Sequence, residues 1–146
     1  MSEEVITLQL VVFSLGDEEY ALPIADVHEI IRYTEPRSVA SSVNWVRGVI
    51  SLRGKIIPVY DLASRLGCAR CEDVAEQKIV IVEAANQLAG VVVDDVDEVI
   101  TVDADQLERL PAADEAAIDS IVKLDDRLIV LLSPAGLFGL SAEFAA

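Results

Sequence analysis

The chain has 146 residues, 26 acidic and 11 basic, and its formal net charge of −15 excludes nucleic acid or anionic lipid as a general partner, because both require a cationic footprint. A hydrophobic content of 53% with seven glycines and five prolines excludes intrinsic disorder, and a chain of this length buries roughly 70% of the surface its unfolded form exposes. No apolar run reaches the ~20 residues of a membrane-spanning helix, since even Leu128 to Leu140 is broken by Ser133, Pro134 and two glycines. The start Met1-Ser2-Glu3-Glu4 is acidic where a secretory signal is basic, so the expected compartment is the cytoplasm.

In chain order, Val12-Phe13 and Tyr20 to Ile24 flank the polar turn Gly16 to Glu19, which predicts a β-hairpin. The next strand is Asp26-Val27-His28-Glu29-Ile30-Ile31. Val49 to Ile57 then predicts strand, tight turn and strand, with a short helix over 61–66 capped by Asp61 and stopped by Gly67. Ile81-Val82, the turn Ala85 to Gln87, Ala89 to Val93 and Asp95-Val96-Asp97-Glu98-Val99-Ile100 repeat the opening pattern 69 residues later. A second short helix is expected over 103–110, between Asp103 and Pro111. Ile121 to Ile129 repeats Val49 to Ile57 at an offset of 72. The runs are short and rich in Val, Ile and Leu, without helical spacing, so they read as strands. The expected fold is all-β, one domain over 1–146 made of two pseudo-symmetric barrels, 9–78 and 79–140, whose closure removes exposed edges.

Enzyme signatures are missing. The sole histidine, His28, has no acid–nucleophile set, and its counterpart is Asp97, as at a solvent-facing position. No glycine is followed by the Lys-Ser or Lys-Thr of a phosphate loop. Cys68-Ala69-Arg70-Cys71 supplies two of the four ligands of a structural zinc site and follows, rather than opens, a helix; it reads as two free thiols, with a redox or metal role as the alternative. Asp94, Asp95, Asp97 and Glu98 alternate across a strand, and Asp125-Asp126 forms a turn, so neither group converges on a cation and both read as solvated surface. No catalytic residue, metal or cofactor is expected. The charge is uneven: residues 32–70 hold seven of the eleven basic side chains against Glu35 and Asp61 alone, a window of +5 suited to an acidic protein partner.

Val12-Phe13-Ser14-Leu15-Gly16-Asp17-Glu18-Glu19-Tyr20-Ala21-Leu22-Pro23-Ile24 followed by Val27-His28-Glu29-Ile30-Ile31, then Trp45-Val46-Arg47-Gly48-Val49-Ile50-Ser51-Leu52-Arg53-Gly54-Lys55-Ile56-Ile57-Pro58-Val59-Tyr60-Asp61-Leu62, and Gly90 to Asp94 with Val96 to Val99 resemble the CheW coupling proteins over residues 10–140. The resemblance implies two SH3-like five-stranded barrels and a non-enzymatic scaffold. Its implied partners are the regulatory domain of a CheA-type histidine kinase and the cytoplasmic tip of chemoreceptors, at whose arrays on the inner face of the membrane it would be recruited. It also implies a receptor-facing side at Val27, Glu29, Gly48 and Arg53, and leaves individual kinase contacts open. The same fold serves pilus or surface-motility pathways, which is the alternative. Ala40 and Val43 stand where the family has two prolines, and Ser51 where it has an asparagine. Arg53 falls on Asp125 in the duplication, so the expected Glu29–Arg53 pair belongs to the first copy alone, with Glu29 orienting Arg53 beside an apolar groove. The isolated chain is expected to be a monomer.

Overall fold

The computed structural model describes residues 7–38, 46–66, 76–84, 86–109 and 118–137. Strands β1 (Thr7–Leu15), β2 (Glu18–Pro23), β3 (Val27–Arg32), β4 (Val46–Leu52) and β5 (Lys55–Asp61) lead into helix α1 (Leu62–Leu66). They are followed by β6 (Lys78–Ala84), β7 (Gln87–Val93), β8 (Asp95–Asp103), β9 (Leu107–Glu108), β10 (Ile118–Leu124), β11 (Arg127–Leu132) and helix α2 (Pro134–Leu137). The fold is all-β, as expected, in two SH3-like subdomains. One sheet runs β8-β1-β2-β11-β10-β9 and the other β3-β6-β7-β5-β4.

The duplication exchanges these two sheets strand for strand, apart from the two-residue β9, which makes the first sheet six-stranded rather than five. In each, one parallel contact joins the first hairpin to the last strand, Tyr20↔Val130 in the first and Gly90↔Val59 in the second. The expected division at residues 78/79 does not separate the sheets. β8 pairs with β1 and β3 with β6, so each subdomain takes its first hairpin from one copy and the remaining strands from the other. The links explain the exchange. Only Asp94 separates β7 from β8, and a single 3-10 turn, Ile24–Asp26, separates β2 from β3. A hairpin reversal commonly needs at least a two-residue loop, so after Asp94 the chain runs on into the neighbouring sheet.

Three apolar clusters follow from this arrangement. On β1, Leu10 and Val12 enter the first subdomain with Ala21, Val102, Val122, Ile129 and Leu131. Phe13 and Leu15 point the other way, into a core shared with Tyr20, Leu22, Tyr60, Val80, Val82, Val91 and Val93. On β6, Ile79 and Ile81 fill the second subdomain with Ile50, Ile57, Val59 and Val92. Both strands are thus buried on two faces, which is why Leu10 to Phe13 and Ile79 to Val82 are unbroken apolar runs rather than alternating ones.

Helix α1 stands where expected, but Asp61 is the last residue of β5 and buried at 3% exposure. The helix expected over 103–110 is instead one 3-10 turn, Ala104–Gln106. Asp103 does cap it, accepting from the Asp105 amide at 3.1 Å, while Gln106 Oε1 accepts from the Asp103 amide at 2.9 Å. It ends there because Leu107 packs on the first subdomain's core and extends against β10, with Leu107↔Val122 paired. Gly67, Cys68, Cys71, Ala40, Val43, Trp45 and Pro111 lie outside the described residues. Among the described residues no helix is long and apolar enough to cross a membrane.

Candidate functional site

The second sheet presents its two edge strands, β3 and β4, to each other across a gap that polar contacts bridge. At one end the β4–β5 turn is Arg53-Gly54, with φ of 51° and 82°. Left-handed values at both central positions match the twist of a tight hairpin and are easy for Gly54. The turn carries the Arg53 side chain outward, 73% exposed, and its Nη1 donates to Glu29 Oε2 on β3. Alternation along β3 leaves Val27, Glu29 and Ile31 half-buried and His28, Ile30 and Arg32 exposed. Glu29 is therefore partly shielded, at 20% side-chain exposure, and His28 Nε2 lies 3.8 Å from the same carboxylate oxygen.

Farther along the gap, Arg37 and Val49 exchange backbone hydrogen bonds of 2.8 and 2.9 Å, fastening the segment after β3 to β4. Gly48 makes this approach feasible: its φ is 148°, and a Cβ there would lie 2.1 Å from the Arg37 carbonyl oxygen. Of the four expected receptor-facing residues, Glu29 and Arg53 thus meet directly. Val27 leans onto the shared core, and Gly48 has a backbone reason for its place.

A neighbouring network was not anticipated from the sequence. Arg47 Nη1 donates to Tyr33 Oη at 3.0 Å, Tyr33 donates to Glu35 at 3.0 Å, and Arg47 Nη2 reaches the buried Asp61 carboxylate at 3.4 Å. Burial first, and then the hydrogen bond to Glu35, raise the Tyr33 hydroxyl above its ordinary value. The one available signal was that Asp61, a strand-terminal acid, needed a cation once buried.

The expectation that only the first copy forms a glutamate–arginine pair is corrected. Glu98, the counterpart of Glu29, accepts from Arg127 Nη2 at 3.0 Å, and Arg127 also grips Glu19 with bonds of 2.7 and 3.1 Å. The cation comes from the first residue of β11, the counterpart of Lys55, rather than from the turn. The Arg127 hydrogen bond holds the Glu19 carboxyl below its ordinary value, while burial and then the Glu19, Asp95 and Glu98 charges raise Asp97.

Asp94 is likewise more than solvated surface. Its carboxylate accepts from the Gly16 amide at 2.6 Å and from Gln77 Nε2 at 3.2 Å, fastening the β1–β2 turn of one sheet to the start of β6 in the other. His28 is exposed, and among the described residues no group of three or more His, Cys, Asp or Glu side chains is placed to hold a metal ion.

Residues 9–142 match the family model for the CheW-like domain. The Probable chemotaxis protein CheW of Rhizobium etli is 30% identical over 142 residues, covering 94% of this chain and 92% of that protein. Chemotaxis protein CheW of Bacillus subtilis is 31% identical over 128 residues, covering 85% and 82%. The crystal structure of scaffolding protein TtCheW from Thermoanaerobacter tengcongensis superposes with a TM-score of 0.84 at 37% identity, covering 94% of this chain and 92% of that one.

Proposed function

Because the chain belongs to the CheW-like domain family, whose members are scaffolds and adaptors of chemotaxis rather than enzymes, we propose that it couples the cytoplasmic tip of chemoreceptors to a CheA-type histidine kinase. The observation that carries the reading is the Glu29–Arg53 pair, which holds a cationic side chain at an exposed corner of an otherwise strongly acidic protein. Neither subdomain needs Arg53 for its core. A surface ion pair contributes only about 0–1 kcal/mol to stability, so an interaction role accounts for it better than a folding role.

Receptor contact centres on Glu29 and Arg53, with Val27 and Gly48 shaping the backbone beneath them. The kinase regulatory domain docks on the apolar strands of residues 79–140, where Val99 and Leu128 are 53% and 65% exposed. Recruitment to arrays at the inner face of the membrane then runs through the receptor, and the isolated chain is a monomer.

The decisive substitution is Arg53→Ala, expected to weaken receptor binding and kinase activation in a reconstituted receptor–kinase mixture while leaving the fold intact. Normal coupling by this variant would sink the assignment of the site. Exchanging the charges, Glu29→Arg with Arg53→Glu, partly restores coupling if the two residues mainly orient each other. It gives no rescue if Arg53 touches the receptor.

A further inference from the structure

The duplication supplies each surface feature with an internal control, and one counterpart pair differs in a way that changes the shape of the surface. Between the β4–β5 and β6–β7 turns of the second sheet lies an open groove of about 340 Å³, lined by Lys55, Ile56, Ile57, Asn86 and Leu88. Ile56 is the most exposed large apolar side chain among the described residues, at 69%. Lys55 has no acidic partner among them.

The equivalent positions in the first sheet are Arg127, Leu128, Ile129, Asp17 and Glu19. The registers coincide: Lys55 opposes Leu52 as Arg127 opposes Leu124, and Val59↔Gly90 corresponds to Leu131↔Ala21. There the bidentate Glu19–Arg127 pair lies across the corresponding space. In the second sheet leucine replaces the glutamate, so the lysine loses its partner and the apolar floor is left uncovered.

One wall of the groove, Lys55, Ile56 and Ile57, belongs to the basic window of residues 32–70 and follows directly on the Arg53-Gly54 turn. From this we infer that the groove docks an acidic amphipathic helix of the chemoreceptor's cytoplasmic hairpin, with an apolar side chain against Ile56, Ile57 and Leu88 and a carboxylate on Lys55. Helix-in-groove recognition uses this combination of an apolar anchor with a charged rim. The inference rests on the adaptor reading and adds to it a contact separate from the Glu29–Arg53 pair.

The test copies the closed groove onto the open one. Lys55→Arg with Leu88→Glu installs the first sheet's ion pair in the second; Lys55→Glu keeps the groove open and reverses its charge. The isotope-labelled full chain is titrated with a purified chemoreceptor cytoplasmic hairpin and, separately, with the kinase regulatory domain, and followed by NMR. Wild-type amides of residues 55–57 and 86–88 are expected to shift with the hairpin. Both variants should retain native spectra but bind the hairpin about tenfold more weakly, a difference of roughly 1.4 kcal/mol, and Lys55→Glu, which leaves residues 79–140 untouched, should also retain kinase-domain binding. Should the double variant not fold, Lys55→Glu alone decides by the same criterion. Hairpin binding at wild-type strength by the variants overturns the groove while sparing the adaptor reading. Failure of the wild-type chain to bind the hairpin at all overturns both. Shifts at residues 55–57 with the kinase domain, or with rising concentration of the chain itself, in place of the hairpin overturn the choice of partner.

Discussion

Gly48 and Gly54 lie on the same hairpin and have left-handed φ values of 148° and 82°, yet their surroundings differ. A Cβ at Gly54 meets nothing within 4 Å, whereas one at Gly48 collides with the Arg37 backbone. Gly54→Ala is therefore expected to lower stability by about 1 kcal/mol, the conformational term alone. Gly48→Ala should lower it by about 2–4 kcal/mol, because either β4 or the Arg37 segment must shift. Denaturant titration of the two variants checks this, and equal losses would remove the close-approach account of Gly48. Both glycines were legible in the sequence as motif positions. The obstacle at Gly48 was not, since the Arg37 carbonyl comes from a segment with no motif of its own and reaches β4 only when the sheet edges meet.

Among the elements, Arg127 ties three strands by holding Glu19 of β2 and Glu98 of β8 from the start of β11. Its cluster is partly exposed, so at neutral pH the loss of Arg127→Met should be only about 0–1 kcal/mol. The pH dependence is more telling. A glutamate whose folded pKa lies below its ordinary value, 4.5, contributes fully above that value and loses its contribution as pH falls through the lowered one. Wild-type stability should thus fall more steeply than that of Arg127→Met below pH 4.5, with the difference between them shrinking toward zero. Thermal unfolding across that range measures it; parallel curves would mean that the Arg127 hydrogen bonds are not what depresses Glu19. The tie was half visible in the sequence. The duplication aligned Glu98 with Glu29, but comparing turn with turn pointed to Asp125 and missed the arginine at the head of the next strand.

For the whole molecule, the exchange of hairpins between copies decides cooperativity. Each sheet is completed by both halves of the chain, and the shared core draws Phe13, Leu15 and Leu22 together with Val80, Val82, Val91 and Val93. A fragment ending at residue 78 would leave β1 without β8, β2 without β11 and β3 without β6. The separate fragments 1–78 and 79–146 are accordingly expected to lack native β structure by circular dichroism and NMR dispersion, and the intact chain to unfold in one transition. An independently folded half would contradict the exchanged arrangement.

Hairpins β1–β2, β4–β5, β6–β7 and β10–β11 and strand β3 were determined by local sequence alone, because short apolar runs around polar turns have few other solutions. The duplication was legible for the same reason: like local patterns make like strands. Which copy each strand joins was decided only in three dimensions, where the single-residue link at Asp94 sends β8 onto the first sheet. The helical reading of 103–110 failed on the same ground, since burying Leu107 beside β10 outweighs a cap that holds one turn. Glu29 and Arg53 were identifiable as motif residues. Their meeting across the sheet's open edge, and the opening of the Lys55–Leu88 groove where Glu19 and Arg127 meet in the other half, depend on contacts between segments distant in sequence, which only tertiary packing brings within reach.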